Sequence, residues 1–164
     1  MSLSETQRTT LAAHIRANTD QDVIDALAVR NDSELTRLYS LDSSFIVWRL
    51  AIPASDVGKT VIYNALSALT TANTSRVQLF MDLNSKSFDG SADIEAYFDD
   101  TFSGALNGSG ADCRAALSAM QRRAASVAES IYATGTGNTS TPGTLVFQGT
   151  ISTDDVGRAL NDNP

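Results

Sequence analysis

The predicted fold depends most on residues 111–160, ADCRAALSAMQRRAASVAESIYATGTGNTSTPGTLVFQGTISTDDVGRAL. The first part of this stretch carries apolar side chains at steps of three and four residues, which place them on one face of a helix. These side chains are Cys113, Leu117, Met120, Ala124, Val127 and Ile131. The pattern predicts one long helix that ends near Gly135, because a glycine readily adopts the left-handed conformation that closes a helix.

The remainder of this stretch predicts a loop, a strand and a short helix. Residues 135–143 are small and polar, with several glycines, and predict a pliable loop. Residues 144–151, TLVFQGTI, are rich in β-branched and aromatic side chains and predict a strand. Ser152 and Asp155 have the spacing of a capping box, which predicts the start of a terminal helix. We therefore expect a helical body over residues 1–134 and a docking arm over residues 135–164, within a single domain.

The amino-terminal half predicts mainly short amphipathic helices. Ser4 and Gln7 form one candidate capping pair, and further helix starts are expected near Asp20, Ala54 and Ser91. The run FIVWRLAI, residues 45–52, fits either a buried strand or the end of a core helix. We favour a helix or an extended segment that places Trp48 in the core. The predicted fold is mainly α: a helical bundle with a long helix in its carboxyl-terminal half, followed by a loop, a β-strand or short β-hairpin arm, and a short terminal helix.

Composition excludes several classes of protein. The chain of 164 residues is 42% hydrophobic and has a net charge of −7, which argues against direct, sequence-specific nucleic-acid binding through a basic face. We find no apolar run of about 18 residues that would cross a membrane. A single cysteine cannot form an internal disulfide. We therefore expect a soluble protein, made in the cytosol and without membrane association.

The motifs that could carry chemistry are weak. Gly58-Lys59-Thr60 resembles the end of a phosphate-binding loop, but Pro53 occupies the position of its first glycine, so a helix start is favoured. One histidine, His14, and one cysteine, Cys113, are too few for a zinc site. The acidic residues between positions 89 and 100 favour a solvated helix face over a calcium loop. We predict no catalytic residue, cofactor or metal, and no enzymatic activity.

The predicted strand at 144–151 points to an interaction, because its backbone groups need partners. It either pairs with residues 45–52 of the same chain or adds to a neighbouring subunit or another protein. Arg122 and Arg123 are either solvated residues beside the apolar helix face or contacts for an acidic partner. The predicted partner-binding residues are Arg122, Arg123, Leu145, Val146, Phe147, Ile151 and Val156.

Several sequence patterns resemble a family of small proteins of tailed bacteriophages. The first comprises AVRND at residues 28–32 with Leu35, Tyr39 and the VWR of residues 47–49. The second comprises RAASVAE at residues 123–129, ATGTG at residues 133–137, Pro142-Gly143, Gly149 and Asp155-Val156. The spacing of ATGTG and Pro-Gly is unusual, and the resemblance extends over most of the chain.

The resemblance implies a non-enzymatic structural component of the virion, made in the host cytoplasm. By analogy with helical proteins of this size, it favours a head–tail connector or adaptor, a ring subunit that links portal and tail. The expected partners are other copies of the chain and virion proteins such as portal or tail proteins. The alternatives are a minor tail protein and a transient assembly or accessory factor.

Overall fold

The computed structural model describes residues 3–64, 70–84, 86–102 and 109–162. The helices in these ranges are α1 (Glu5–Ala17), α2 (Gln21–Ala28), α3 (Asp32–Tyr39), α4 (Ala54–Asn64), α5 (Thr71–Leu83), α6 (Ala92–Thr101), α7 (Ser109–Met120), α8 (Val127–Tyr132) and α9 (Thr153–Asp162). The strands are short: β1 (Asp42–Trp48), β2 (Ile52–Pro53), β3 (Ser87–Phe88), β4 (Arg122–Ser126), β5 (Ala133–Thr134) and β6 (Thr144–Leu145). The prediction of a mainly α protein is confirmed.

The chain divides into two compact units, Met1–Val47 with Ala124–Pro164, and Trp48–Arg123. In the first unit α9 packs on α1 and α3, and α8 also packs on α1. Their apolar faces form one core, which includes Leu11, Ile15, Leu35, Tyr39, Phe147, Val156 and Leu160. Strands β1 and β4 pair with each other, and the hydroxyl of Ser43 donates to the carbonyl of Ala125 over 2.8 Å.

The predicted helix starts of the first unit agree with the structure. The Ser4 side chain accepts from the Gln7 backbone and the Gln7 side chain accepts from the Ser4 backbone, so the capping box of α1 is complete. Asp20 caps α2. Ser152 and Asp155 exchange the same pair of hydrogen bonds at the start of α9, at 3.1 and 3.0 Å.

In the second unit α4 and α6 pack against α7, and α5 contacts both α4 and α6. Its core is aromatic: the Phe80 ring meets the Phe88 ring edge-on at 5.0 Å and lies 5.0 Å from the Phe98 ring. Ser91 caps α6 as the sequence predicts. The short strands β2 and β3 pair in antiparallel register, with Ile52 opposite Phe88.

The prediction of one long helix over residues 111–134 is wrong. The structure has two helices, α7 and α8, separated by the extended strand β4. The apolar face expected to be continuous is divided, because Cys113 and Leu117 enter the core of the second unit while Val127 and Ile131 pack on the core of the first. A new capping box between Ser126 and Glu129 begins α8. The pairing of β4 with β1 outweighs the helix propensity of its alanines.

The predicted strand at 144–151 is also shorter than expected. Only Thr144–Leu145 is a strand, which pairs antiparallel with Ala133–Thr134 to form a short hairpin. Gly143 adds an isolated parallel bridge to Val47, so the chain's own residues 45–52 supply part of the pairing. Gly149 has a φ of +126°, which interrupts any extended run beyond the hairpin.

Of the interpretations for residues 45–52, the extended one is correct and the helical one is wrong, because residues up to Trp48 form β1. Strand alternation buries Val47 and leaves Trp48 only half-buried, so Trp48 is not the core residue that the sequence suggested.

The predicted boundary at residue 134 does not coincide with the division into units, since α9 belongs to the core of the first unit. Among the described helices, none is long and apolar enough to cross a membrane.

Candidate interaction surfaces

The hairpin formed by β5, β6 and their connecting loop packs against the side chain of Phe45. A Cβ atom placed on Gly137 or Gly143 would lie 2.3 Å from this ring, so both positions require glycine. The Ile46 amide donates to the Gly137 carbonyl over 2.7 Å, and the Gly143 amide donates to the Ile46 carbonyl over 2.8 Å. We call residues 133–146 the hairpin arm. Its loop is anchored at both ends by these backbone hydrogen bonds.

The tip of the hairpin arm is ordered by a local turn. The side-chain oxygen of Asn138 accepts from the amides of Ser140 and Thr141, at 2.9 and 2.8 Å. The Thr136 hydroxyl donates to the Thr141 carbonyl over 3.0 Å. These bonds satisfy the backbone without help from a strand partner, while the side chains of residues 138–141 remain exposed.

The predicted partner-binding residues near the arm differ in exposure. Val146 is 69% exposed and Leu145 is half-buried. Phe147, Ile151 and Val156 are buried in the core of the first unit, where Phe147 meets Tyr132 edge-to-face at 5.5 Å. Of this group, Val146 therefore offers an apolar surface to a partner in this conformation.

The two predicted arginines belong to the second unit. The guanidinium of Arg122 forms an ion pair with Glu95, donates to Ser118, and lies 5.7 Å from the centre of the Trp48 ring. Its side chain is only 15% exposed, so Arg122 is committed to contacts within the unit. Arg123 is half-buried.

Two buried carboxylates, Glu129 and Asp155, hold the chain beside the arm. The sequence predicts Asp155 as a capping residue, but we assigned no role to Glu129. Glu129 accepts from the Ser126 amide at 3.0 Å and from the Gly149 amide at 3.1 Å. Asp155 accepts from the Leu3 amide at 3.0 Å and from the Ser152 hydroxyl at 2.7 Å. Burial opposes ionisation of Asp155, but these hydrogen bonds prevail and lower its pKa. The serine three residues before Glu129 was the available sequence signal.

A second surface, also missed from the sequence, lies between α5 and α6. Leu79 and Leu83 are 57% and 76% exposed, and they line a groove together with Phe80, Ile94 and Tyr97. We call this the α5–α6 groove; its volume is about 340 Å³. The available signal was the spacing of four residues between two leucines on a helix whose other face, with Val77 and Phe80, enters the core.

The following residues, which the sequence offered as candidates for chemistry, lie in helices or are partly or fully buried. Gly58 and Lys59 lie inside α4, not in a phosphate-binding loop. Cys113 is buried, and burial raises the pKa of its thiol to about 11. The His14 Nδ1 atom lies 2.9 Å from the Tyr39 hydroxyl, and burial lowers the pKa of the imidazole. Within the described ranges, no three His, Cys, Asp or Glu side chains converge to hold a metal ion.

In comparisons with known proteins, no family model, curated protein or solved structure matched the chain. The resemblance to tailed-bacteriophage proteins therefore stays a prediction that only experiment can test.

Proposed function

We propose that the chain is a non-enzymatic structural protein of a tailed bacteriophage, and that it serves as a subunit of a head–tail connector ring. The hairpin arm is the contact element, and Val146 is its apolar contact residue. The expected partners are neighbouring copies of the chain and the portal or tail proteins of the virion.

The observation that carries this proposal is the preorganised arm. Phe45 and the backbone of Ile46 fix the loop before any partner binds, while Val146 projects from the core at 69% exposure. A preformed contact element loses little conformational entropy on association, so a small apolar contact repeated around a ring can stabilise an assembly. The sequence resemblance adds the virion setting.

Point substitutions test this proposal better than removal of residues 135–164. Such a truncation would delete α9, whose Val156 and Leu160 are core residues, and would unfold the first unit. Val146→Asp instead places a charge on the exposed contact. Val29→Asp is a matched control, because Val29 is 74% exposed and lies outside the arm.

We expect size-exclusion chromatography with light scattering to show an oligomer for the unmodified chain and for Val29→Asp, and a smaller species for Val146→Asp. An oligomer that Val146→Asp leaves intact would contradict the role of the arm. A monomeric unmodified chain would contradict self-assembly in isolation.

A second candidate is a transient assembly factor that binds another protein and is absent from the finished particle. The net charge of −7 favours it, since like-charged copies repel one another when they are brought together. Detection of the chain in purified virions separates the two functions.

A further inference from the structure

The α5–α6 groove has apolar walls one helical turn long. Leu79 and Leu83 are four residues apart on α5, while Ile94 and Tyr97 are three residues apart on α6. Each wall therefore presents two side chains about 5 Å apart along its helix. This spacing matches apolar side chains at positions i and i+4 of a partner helix, which is the usual geometry of helix-in-groove recognition.

The floor and walls of the groove are fixed by contacts between α5 and α6. The Phe80 and Tyr97 rings stack at 5.6 Å with an angle of 25° between their planes. The Tyr97 hydroxyl donates to the Arg76 carbonyl over 2.7 Å, and the Arg76 guanidinium pairs with Asp100 at 2.6 Å. The groove is thus formed before a ligand arrives, which lowers the entropic cost of binding.

The surroundings of the groove are acidic. Helices α5 and α6 carry one arginine against five carboxylates. Asp100 pairs with Arg76 and Glu95 pairs with Arg122, so Asp82, Asp93 and Asp99 are the carboxylates outside these two pairs. Asp93 lines the groove and is exposed, and Asp82, which precedes Leu83 in the sequence of α5, is also exposed. A second copy of this chain, with its net charge of −7, is a poor electrostatic match for this surface.

We propose that the α5–α6 groove binds an amphipathic helix of another protein that carries two apolar side chains one turn apart, flanked by Lys or Arg. The apolar side chains occupy the space between Leu79, Leu83, Ile94 and Tyr97, and the basic side chains lie near Asp82 and Asp93. This inference does not depend on the hairpin arm or on assembly into a ring.

The test uses the full chain and a displayed library of helical peptides. Leucine is fixed at positions i and i+4, and the flanking positions are random. We expect enrichment of Lys and Arg at the flanks. In fluorescence anisotropy, an enriched peptide should lose affinity about tenfold or more for the double variant Leu79→Ser/Leu83→Ser. Added NaCl should also weaken its binding, because the flanking contacts are electrostatic.

A matched control separates the groove from general attraction to an acidic protein. Val29 is as exposed as Leu83 and lies beside Asp22, Asp25 and Glu34, so Val29→Ser removes an apolar contact in another acidic setting. The proposal predicts unchanged peptide affinity for Val29→Ser. It is overturned if the library enriches no peptide or only acidic or neutral flanks, or if both variants lose affinity equally. It is also overturned if Leu79→Ser/Leu83→Ser dissociates a self-assembled oligomer, because a second copy would then occupy the groove. Circular dichroism melting confirms that each variant is folded.

Discussion

The hairpin arm and the α5–α6 groove both expose apolar side chains, but they are built differently. In the arm, glycines and backbone hydrogen bonds fix the shape, and Val146 is the exposed large apolar side chain. In the groove, side chains fix the shape: the Phe80 ring stacks on Tyr97 of one wall, and leucines form the other wall. A run of apolar residues in the sequence therefore does not reveal which of its side chains are exposed. Phe147 follows Val146 directly and is buried, whereas Leu83 lies three residues after the buried Phe80 and is exposed.

The largest expected effect comes from the buried residue that directly follows the arm. Phe147→Ala removes a core ring that contacts Tyr132, and we expect it to lower the free energy of unfolding by about 3–5 kcal/mol. Leu83→Ala, its counterpart in the groove, should change this free energy by no more than about 0.5 kcal/mol. Urea denaturation followed by circular dichroism measures both. Similar losses in the two variants would show that the assigned difference in burial is mistaken.

The next effect tests whether glycine and Phe45 fix the arm. Gly137→Ala meets both a positive φ of +63° and the Phe45 ring, and we expect a loss of about 2–4 kcal/mol in unfolding free energy. Gly149→Ala is the control, because Gly149 has a φ of +126° but no neighbouring atom within 4 Å of the added Cβ. It should cost only about 1–2 kcal/mol of backbone strain. A smaller cost for Gly137→Ala than for Gly149→Ala would mean that Phe45 does not restrain the loop.

A smaller effect concerns the carboxylate that joins Leu3 to α9. We expect Asp155→Asn to lower the unfolding free energy at pH 7 by about 1–3 kcal/mol, because charge-assisted hydrogen bonds are lost. The folded-state pKa of Asp155 is lowered, so its stabilisation is complete above the ordinary carboxyl pKa and is lost as pH falls through the folded pKa. Urea denaturation of both proteins from pH 7 to pH 2 should therefore show the difference shrinking in acid. A difference that grows in acid would contradict this assignment.

The smallest effect lies at the rim of the groove. Asp93 is exposed in the first turn of α6, where a negative charge favours the helix dipole. Asp93→Asn should cost only about 0.3–1 kcal/mol of unfolding free energy at low salt. It should also lower the affinity of an enriched basic peptide in the anisotropy titration. If the substitution changes stability but not this affinity, Asp93 does not contact the peptide.

Local signals predicted the helix starts well. The capping pairs Ser4–Gln7 and Ser152–Asp155 form as the sequence indicates, because each depends only on residues three positions apart. The same kind of signal was present at Ser126 and Glu129, and it marks where α8 begins. The apolar spacing from Leu117 to Ile131 instead predicts one helix that continues through this position.

The predictions that were wrong concern segments whose structure depends on residues far away in the sequence. Strand β4 forms because β1, about 80 residues earlier, pairs with it, and no local pattern in its sequence RRAAS predicts this. The strand predicted over residues 144–151 ends at Leu145, where its pairing with β5 ends. Further along, Gly149 has a positive φ and its amide donates to Glu129. The spacing of Leu79 and Leu83 is visible in the sequence, but their exposure is not, because it depends on how α6 packs against α5.

Quantitative mass spectrometry of virus particles purified from cells that produce the chain is the decisive test of the proposed function. The proposal predicts that the chain is present in a fixed copy number per particle, comparable to that of a ring of subunits. Its absence from intact particles, with the chain still abundant in infected cells, would contradict a structural role and favour the transient assembly factor.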